Sequence, residues 1–357
     1  MLDSDELLEL HTQFRSEMRN VEHAKKMDPN RDLLEIVRVI FWYEGVRKRS
    51  KLHTAYALEQ YFEPESFRRR ADNDRPSYRC KWQSYEFGIH TPQARLTERV
   101  NSILPGSLQE LHHPLWDVLK NKPSRSTYSE TFLQRLNPEI LSVMFEKVGD
   151  IEVHLKRTDV TKALITKLEK KANLDALAAL VWLLFEALSH KNKKHSEILI
   201  RSIFDILIMR CIWWEERKLT APLLTLFTQR ILSQGTSPHL VFKMSLEEIV
   251  DASTALNLMV HINQGCKHIG LSWHQRVSIM RKLLNGRRSL PGLAPFDVKF
   301  AFAPIYVANP KDAAIPEALL GELQREDKQR QLAWNNILSG KTASYPTGEV
   351  EDPHLPS

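Results

Sequence analysis

Residues 76–92 read PSYRCKWQSYEFGIHTP, and this stretch sets the interpretation of the first third of the chain. Tyr78, Trp82 and Tyr85 follow one another at intervals of four and three residues, which places three large aromatic rings on one face of a helix. The other faces carry polar side chains: Ser77, Arg79, Lys81 and Gln83. The stretch therefore predicts a short helix with a buried aromatic side and a basic side that can donate hydrogen bonds.

The residues after this helix contain its stop signal and the start of the next helix. Gly88 stands where a left-handed C-cap residue is expected. Thr91 and Pro92 are typical of an N-cap and a first helical turn. Leu96, Val100 and Ile103 then form the apolar side of a helix that runs to Leu104. We expect two successive short helices joined by a tight turn.

The chain has 357 residues, of which 42% are hydrophobic, so it can form ordinary globular cores in two domains. Its formal net charge is +6, and the positive charge is concentrated. Residues 38–99 contain 13 Lys and Arg against 8 Asp and Glu, an excess of five. Such a field suits a polyanionic partner, most often nucleic acid, although a solvated helix surface is an equal alternative.

The three cysteines, Cys80, Cys211 and Cys266, are far apart and form neither a disulfide framework nor a metal-binding pair. The first ten residues are rich in acids and do not resemble a signal peptide. The apolar runs are too short or too interrupted by charge to cross a bilayer. We expect a cytoplasmic protein that has no contact with a membrane.

Apolar residues recur at helical spacing through most of the chain and predict an all-α fold. We expect an N-terminal helical domain over residues 1–125 that contains a helix-turn-helix-like basic unit. A larger helical bundle or helical array over residues 126–338 would mediate oligomerisation or partner binding, and residues 339–357 are predicted to be a disordered tail. The helices are predicted at 3–27, 33–45, 52–62, 64–71, 92–104, 111–119, 132–148, 158–171, 174–189, 197–214, 221–233, 245–263, 272–285 and 315–338. Residues 291–310, with four prolines and an alternating apolar pattern, predict an extended strand or a loop.

The order of a helix, a break, a helix ending in Glu86 and Gly88, and a further helix after Pro92 resembles the Cro/repressor (XRE-like) helix-turn-helix family. In that family the recognition helix often runs into a Glu-x-Gly element, followed by a proline and an apolar helix. The resemblance covers residues 63–105. It implies a DNA-binding protein, such as a transcription regulator or a DNA-targeting component.

The chemistry of the side chains agrees with this resemblance, because Arg and Lys read guanine and Gln reads adenine in the major groove. Arg79, Lys81 and Gln83 are the predicted base readers. Arg75 and Ser77 at the helix start are placed to contact bases or phosphates. The residues predicted to neutralise backbone phosphates are Arg47, Arg49, Arg68, Arg69 and Arg70. Duplex DNA is the expected partner, with RNA as an alternative, and a reader of two half-sites would be a homodimer.

Two other functions remain open. Arg47 and His53 have an Arg-x5-His spacing that resembles the HEPN ribonuclease motif, which implies an RNA-cleaving toxin or defence effector with these two catalytic residues. The other alternative is a non-catalytic, all-helical adaptor whose basic unit contacts a protein.

The remaining polar clusters do not predict a cofactor, a metal site or an enzyme. With 12 glycines, the chain has no phosphate-binding loop or dinucleotide fingerprint. The cluster of His261, Cys266, His268 and His274 lacks two ligand pairs at zinc spacing, and His112 and His113 are expected to flank a docking helix at Trp116. Two acidic groups are interpreted as helix-surface charge: Glu215 with Glu216, and Glu247 with Glu248 and Asp251. The pair Trp213 and Trp214 is interpreted as core.

Overall fold

The computed structural model describes residues 4–19, 31–67, 81–120, 130–148, 154–234, 240–262, 270–286, 296 and 298–302, together with isolated positions between 321 and 332. This part of the chain is mostly helical, and its few short strands form no closed sheet, so the predicted all-α class is confirmed. None of the helices in these ranges is long and apolar enough to cross a membrane.

Up to residue 120, the described part of the chain contains helical elements and no strand. They are α1 (Ser4–Arg19), α2 (Leu33–Ser50), α3 (Ala55–Phe62), a 3₁₀ turn (Pro64–Phe67), α4 (Lys81–Glu86), α5 (Ala94–Ile103), α6 (Ser107–Leu111) and α7 (Pro114–Lys120). The later elements are α8 (Glu130–Leu133), α9 (Pro138–Met144), β1 (Phe145–Val148), β2 (His154–Arg157), α10 (Lys162–Lys171), α11 (Leu174–Ser189), α12 (Lys193–Arg210), a second 3₁₀ segment (Cys211–Arg217), α13 (Thr220–Phe227), a π turn (Thr228–Leu232), β3 (Leu240–Phe242), α14 (Leu246–Ile262), α15 (Trp273–Gly286) and β4 (Phe300–Phe302).

Side-chain caps set many of these helix starts. Each capping residue accepts a hydrogen bond from a backbone N–H of the first turn, which satisfies a donor that has no partner within the helix. The capping residues are Asp32, Thr54, Asn137, Thr161, Asn173 and Asn192. These six cap residues are polar side chains of the types favoured at helix starts, so the sequence marks where these helices begin.

Two hydrophobic clusters organise the described residues. The aromatic core contains Val39, Trp42, Tyr43, Val46, Leu58, Phe62, Trp82, Tyr85, Leu96, Val100 and Leu111. The large core extends from α1 to residue 298 and is built mainly from leucine, isoleucine, valine and alanine side chains. Helix α2 contributes to both cores: Val37 and Phe41 lie in the large core, whereas Val39 and Tyr43 lie in the aromatic core. Residues 39–46 are all buried.

The large core takes residues from both sides of residue 125. Leu34 and Trp116 precede that point, and Leu180 follows it. Helix α1 packs against α14 and the second 3₁₀ segment, about 200 residues or more further along the chain. The two-domain division near residue 125 stays a prediction, and a boundary there would have to pass through this shared core.

Several predicted element boundaries are wrong. Helix α2 does not end near Gly45 but continues to Ser50, and Lys51 ends it in the left-handed conformation, at a φ of 58°. Basic residues favour the negative end of the helix dipole, so the Arg47 to Arg49 cluster belongs to the last turn. Helix α5 begins at Ala94, two residues after the predicted start at Pro92, and the described part of the helix predicted at 64–71 is a single 3₁₀ turn.

The predicted helix over 132–148 is interrupted. Asn137 and Pro138 supply a cap and a first-turn proline, so a new helix, α9, starts there. The chain then becomes extended at Phe145, and β1 pairs with β2 in an antiparallel hairpin. In the segment predicted to be extended or loop, β4 pairs antiparallel with β3. The predicted helix at 315–338 falls almost entirely outside the described residues, and the predicted tail at 339–357 lies wholly outside them.

Candidate nucleic-acid interface

Helix α4 is the described part of the predicted recognition helix, and its aromatic side is buried as predicted. The Trp82 ring stacks between Phe62, at a centroid distance of 5.3 Å, and Trp42, at 5.7 Å. Tyr85 packs edge-on against the same tryptophan rings. Tyr78 lies outside the described residues. The interlocked rings fix the position of α4 against α2 and α3.

Two carboxylates of α3 and its C-cap hold the start of α4. Glu63 Oε2 accepts a hydrogen bond of 2.9 Å from the indole Nε1 of Trp82, and the buried Glu59 accepts one of 3.4 Å from the Trp82 backbone N–H. Burial raises the pKa of Glu59, and the bond from the Trp82 amide opposes this shift. Burial, reinforced by Glu63 and Glu59, also raises the pKa of Tyr85. Acidic groups therefore surround the base of α4 on its buried side.

The turn after α4 has the predicted geometry. Gly88 adopts a left-handed φ of 63°, and the Ile89 N–H returns to the Ser84 carbonyl at 2.8 Å. A Cβ at Gly88 would overlap both the side chain and the backbone of Ile36. Glycine is required here for its conformation and for its close approach to α2.

Two of the predicted base readers lie on α4. Lys81 forms an ion pair with Glu63, with Nζ 2.7 Å from Oε1, and is half-buried. Gln83 is exposed on the surface. Lys81 must therefore exchange a carboxylate for any nucleic-acid group that it would contact, whereas Gln83 is accessible.

The two predicted phosphate contacts on α2 also have acidic partners. Arg47 Nη2 lies 2.6 Å from the carboxylate of Glu44, one helical turn earlier, and Glu44 is itself buried. Arg49 donates to Glu110 at 2.9 Å and to the Pro105 carbonyl at 3.1 Å. Arg47 is held within α2, whereas Arg49 connects α2 to α6, and the charge of both arginines is largely neutralised.

Glu110 is the centre of a larger polar network. It also accepts a 3.1 Å hydrogen bond from Arg217, whose guanidinium lies 4.4 Å from the centroid of the Phe41 ring. A Cβ at Gly45 would overlap the Glu110 carboxylate, so the absence of a side chain there lets Glu110 lie against α2. The network joins α2, α6 and the second 3₁₀ segment.

The other predicted nucleic-acid contacts, Arg68, Arg69, Arg70, Arg75, Ser77 and Arg79, lie outside the described residues. Their segment, residues 68–80, runs between two described points, Phe67 and Lys81. Both points are next to helices of the aromatic core, because Phe62 belongs to α3 and Trp82 to α4.

The alternative pair, Arg47 and His53, lies at the junction of α2 and α3. Arg47 is held by Glu44, whereas His53 is exposed just after the left-handed Lys51. The assignment of these residues to RNA cleavage stays a prediction.

The acidic group at Glu215 is not surface charge, contrary to the prediction. Glu215 is only 2% exposed, and burial raises its pKa to about 8, with the nearby Glu17 carboxyl of α1 adding to the shift. Asp251 is half-buried and binds His11 at 2.8 Å and Arg15 at 2.6 Å. Although burial alone would raise it, the pKa of Asp251 is lowered by these hydrogen bonds. Both acids therefore face α1 rather than solvent.

Trp214 is buried, as predicted, and Trp213 packs edge-on against Trp273. Within the described ranges, no three His, Cys, Asp or Glu residues are arranged to hold a metal. His113 lies 3.5 Å from Asp175, and His112 and His274 are exposed. Cys266, His268 and the side chain of His261 fall outside the described part of the chain.

Sequence reasoning missed the carboxylates that neutralise the predicted contacts. The Glu44–Arg47 pair is at i, i+3 spacing on one helix, so its formation could have been predicted. Glu63 with Lys81 and Glu110 with Arg49 are separated by 18 and 61 residues, so local spacing does not reveal them.

Comparisons with protein-family models, curated proteins and solved structures gave no match.

Proposed function

We propose that the protein binds duplex DNA through residues 68–83, which follow the 3₁₀ turn and include the start of α4. The observation that carries the proposal is the distribution of charge. The described predicted cations, Arg47, Arg49 and Lys81, have carboxylate partners. The neighbouring segment 68–80 contains five arginines and two aspartates, an excess of three positive charges in 13 residues.

The aromatic core supports this proposal by fixing the residues that flank the segment. Trp82 and Phe62 stack on each other, so α3 and α4, which lie on either side of residues 68–80 in the sequence, have a defined separation. A basic segment anchored on a rigid base loses less conformational entropy when it binds. Gln83, which is exposed on α4, would add a contact with base edges.

The test is binding of fluorescent duplex DNA, measured by anisotropy over a salt series. We expect the binding constant of the full chain to fall as salt rises, because each phosphate contact releases condensed counterions. The triple variant Arg69→Glu, Arg70→Glu and Arg79→Glu should bind DNA much more weakly than the original chain. Absent binding, or binding that does not respond to salt, would contradict the proposal.

A matched control carries the same kind of charge change elsewhere. Lys162→Glu with Lys167→Glu and Lys170→Glu reverses three exposed lysines of α10, and we expect this variant to bind DNA as the original chain does. Thermal unfolding of each variant reports whether it folds. Equal losses in the two variants would show that binding depends on overall charge and not on residues 68–83.

We also propose that the helices after residue 125 supply dimerisation or partner binding, since a sequence reader gains affinity and register from two half-sites. Sedimentation of the protein with a duplex of 20–30 base pairs would measure the stoichiometry. Two chains on each duplex would support a dimeric reader, and one chain at saturation would exclude it.

A further inference from the structure

The connection between α11 and α12 is a basic turn, distant in sequence from residues 68–83. Residues 190–195 read HKNKKH, with three lysines, two histidines and no acid. Lys191, Lys193 and Lys194 are exposed. Within the described ranges, the one ion pair of these lysines joins Lys193 to Glu197 at 3.9 Å, and both side chains are more than half exposed. Such a pair contributes little, so the described residues leave most of the positive charge of the turn uncompensated.

The backbone of this turn is fixed by hydrogen bonds. The Asn192 N–H binds the Ala187 carbonyl at 2.8 Å, and the Lys191 N–H binds the Leu188 carbonyl at 3.0 Å, which closes the end of α11. The Asn192 side chain then caps α12 by accepting from the His195 N–H at 3.1 Å. The lysines therefore project from a rigid base.

Folding does not account for two of the three lysines. Lys191, at the C-terminal end of α11, interacts favourably with the helix dipole. Lys193 and Lys194 occupy the first turn of α12, the positive end of that helix, where acidic residues are favoured and none is present. These two lysines lower the stability of α12, so a role in binding explains them better than a role in folding.

We propose that residues 190–195 form a contact surface for the phosphate backbone of duplex DNA. This extends the proposed function from the N-terminal unit to the large helical region, and it rests on the same ligand. A membrane surface fits less well, because binding to a bilayer interface normally uses apolar side chains. The turn has none, and the flanking Leu188 and Ile198 pack against the large core.

The test uses the double variant Lys193→Gln, Lys194→Gln. Its DNA binding is compared with that of the original chain in the salt-series assay. We expect weaker DNA binding and a shallower slope of log binding constant against log salt, by about 0.9 for each phosphate that is no longer neutralised. The melting temperature should stay the same or rise, because the substitutions remove cations from the positive end of a helix. An unchanged binding curve would overturn the proposal.

The control is Lys167→Gln with Lys170→Gln on α10, which removes the same charge from another exposed surface. We expect its DNA binding to match that of the original chain, and a loss equal to that of the turn variant would overturn the proposal. Vesicles with anionic lipids provide the second arm. The proposal would also be overturned if vesicle binding required Lys193 and Lys194 while DNA binding did not.

The two DNA proposals fail in different ways. If only residues 68–83 bind, the arginine variant loses binding and the turn variant keeps it. If only the turn binds, the turn variant loses binding and the arginine variant keeps it. Combining both sets of substitutions should weaken binding more than either set alone.

Discussion

The aromatic core and the large core are built on different principles. In the aromatic core, one indole ring, that of Trp82, stacks on two other rings and connects α2, α3 and α4. In the large core, α11 and α12 pack along their length through many aliphatic side chains, and residues 176–185 are all buried. Stability in the first region therefore depends on a few large side chains, whereas in the second it is distributed over many small contributions.

The largest expected effect is that of Trp82→Ala, which removes the central ring of the aromatic core. Truncation of a buried aromatic residue typically costs about 3–5 kcal/mol. We expect hydrogen exchange to accelerate in α3, α4 and α5 but not in α11 and α12. Leu180→Ala is the matched change in the large core, and it should increase exchange in α11 and α12. Equal acceleration in both regions by Trp82→Ala would show that the two cores do not respond separately.

The next prediction distinguishes two costs of adding a side chain to a glycine: steric overlap with a neighbour and an unfavourable backbone conformation. Gly88→Ala forces a non-glycine residue into the left-handed region, at a cost of about 1–2 kcal/mol, and also creates an overlap with Ile36. Gly106→Ala, at a φ of 90°, has the conformational cost without that overlap, since the nearest atom would be 3.7 Å away. Chemical denaturation should show the larger loss for Gly88→Ala. Equal losses would mean that α2 shifts easily.

A third prediction concerns pH and the large core. The folded-state pKa of Glu215, about 8, lies above its ordinary value of 4.5 because of burial, so the folded state binds the proton more tightly. This group's contribution to stability is present below about pH 4.5, declines as pH rises and is lost above about pH 8. Glu215→Gln should therefore remove part of the pH dependence. Relative to the original chain, the melting temperature of this variant should rise between pH 5 and pH 8. A difference in melting temperature that does not change with pH would contradict the prediction.

The smallest expected effect is at the surface between the regions. Lys48 of α2 forms an ion pair with Glu216 of the second 3₁₀ segment, and the Lys48 side chain is mostly exposed. Exposed pairs are worth about 0.2–1 kcal/mol. A double-mutant cycle with Lys48→Met and Glu216→Gln should give a coupling energy in that range that disappears at high salt. A larger coupling that persists at high salt would show that this pair helps to fix the two regions together.

The sequence predicted what depends on local pattern. The helical class, the burial of Trp82 and Tyr85, and the left-handed turn at Gly88 all follow from residues within a few positions of each other. The β1–β2 hairpin was missed because Phe145 and Val148 continue the helical spacing of α9, and only the pairing with His154–Arg157 shows that they belong to a strand. The surroundings of Lys81, Arg49 and Glu215 depend on contacts between distant segments, which spacing cannot reveal.

The burial of the middle part of helix α2 on all its faces limits the substitutions that its sequence can tolerate. Because it belongs to two cores, residues 39–46 are all buried, over more than two turns. A complete substitution scan of a surface helix such as α10 should alternate tolerant and intolerant positions with a period of 3.6 residues. Over residues 39–46 that period should vanish, and polar substitutions should be rejected on every face. Most of the sequence constraint in the first third of the chain would then fall on one helix that makes no predicted contact with DNA before its last turn.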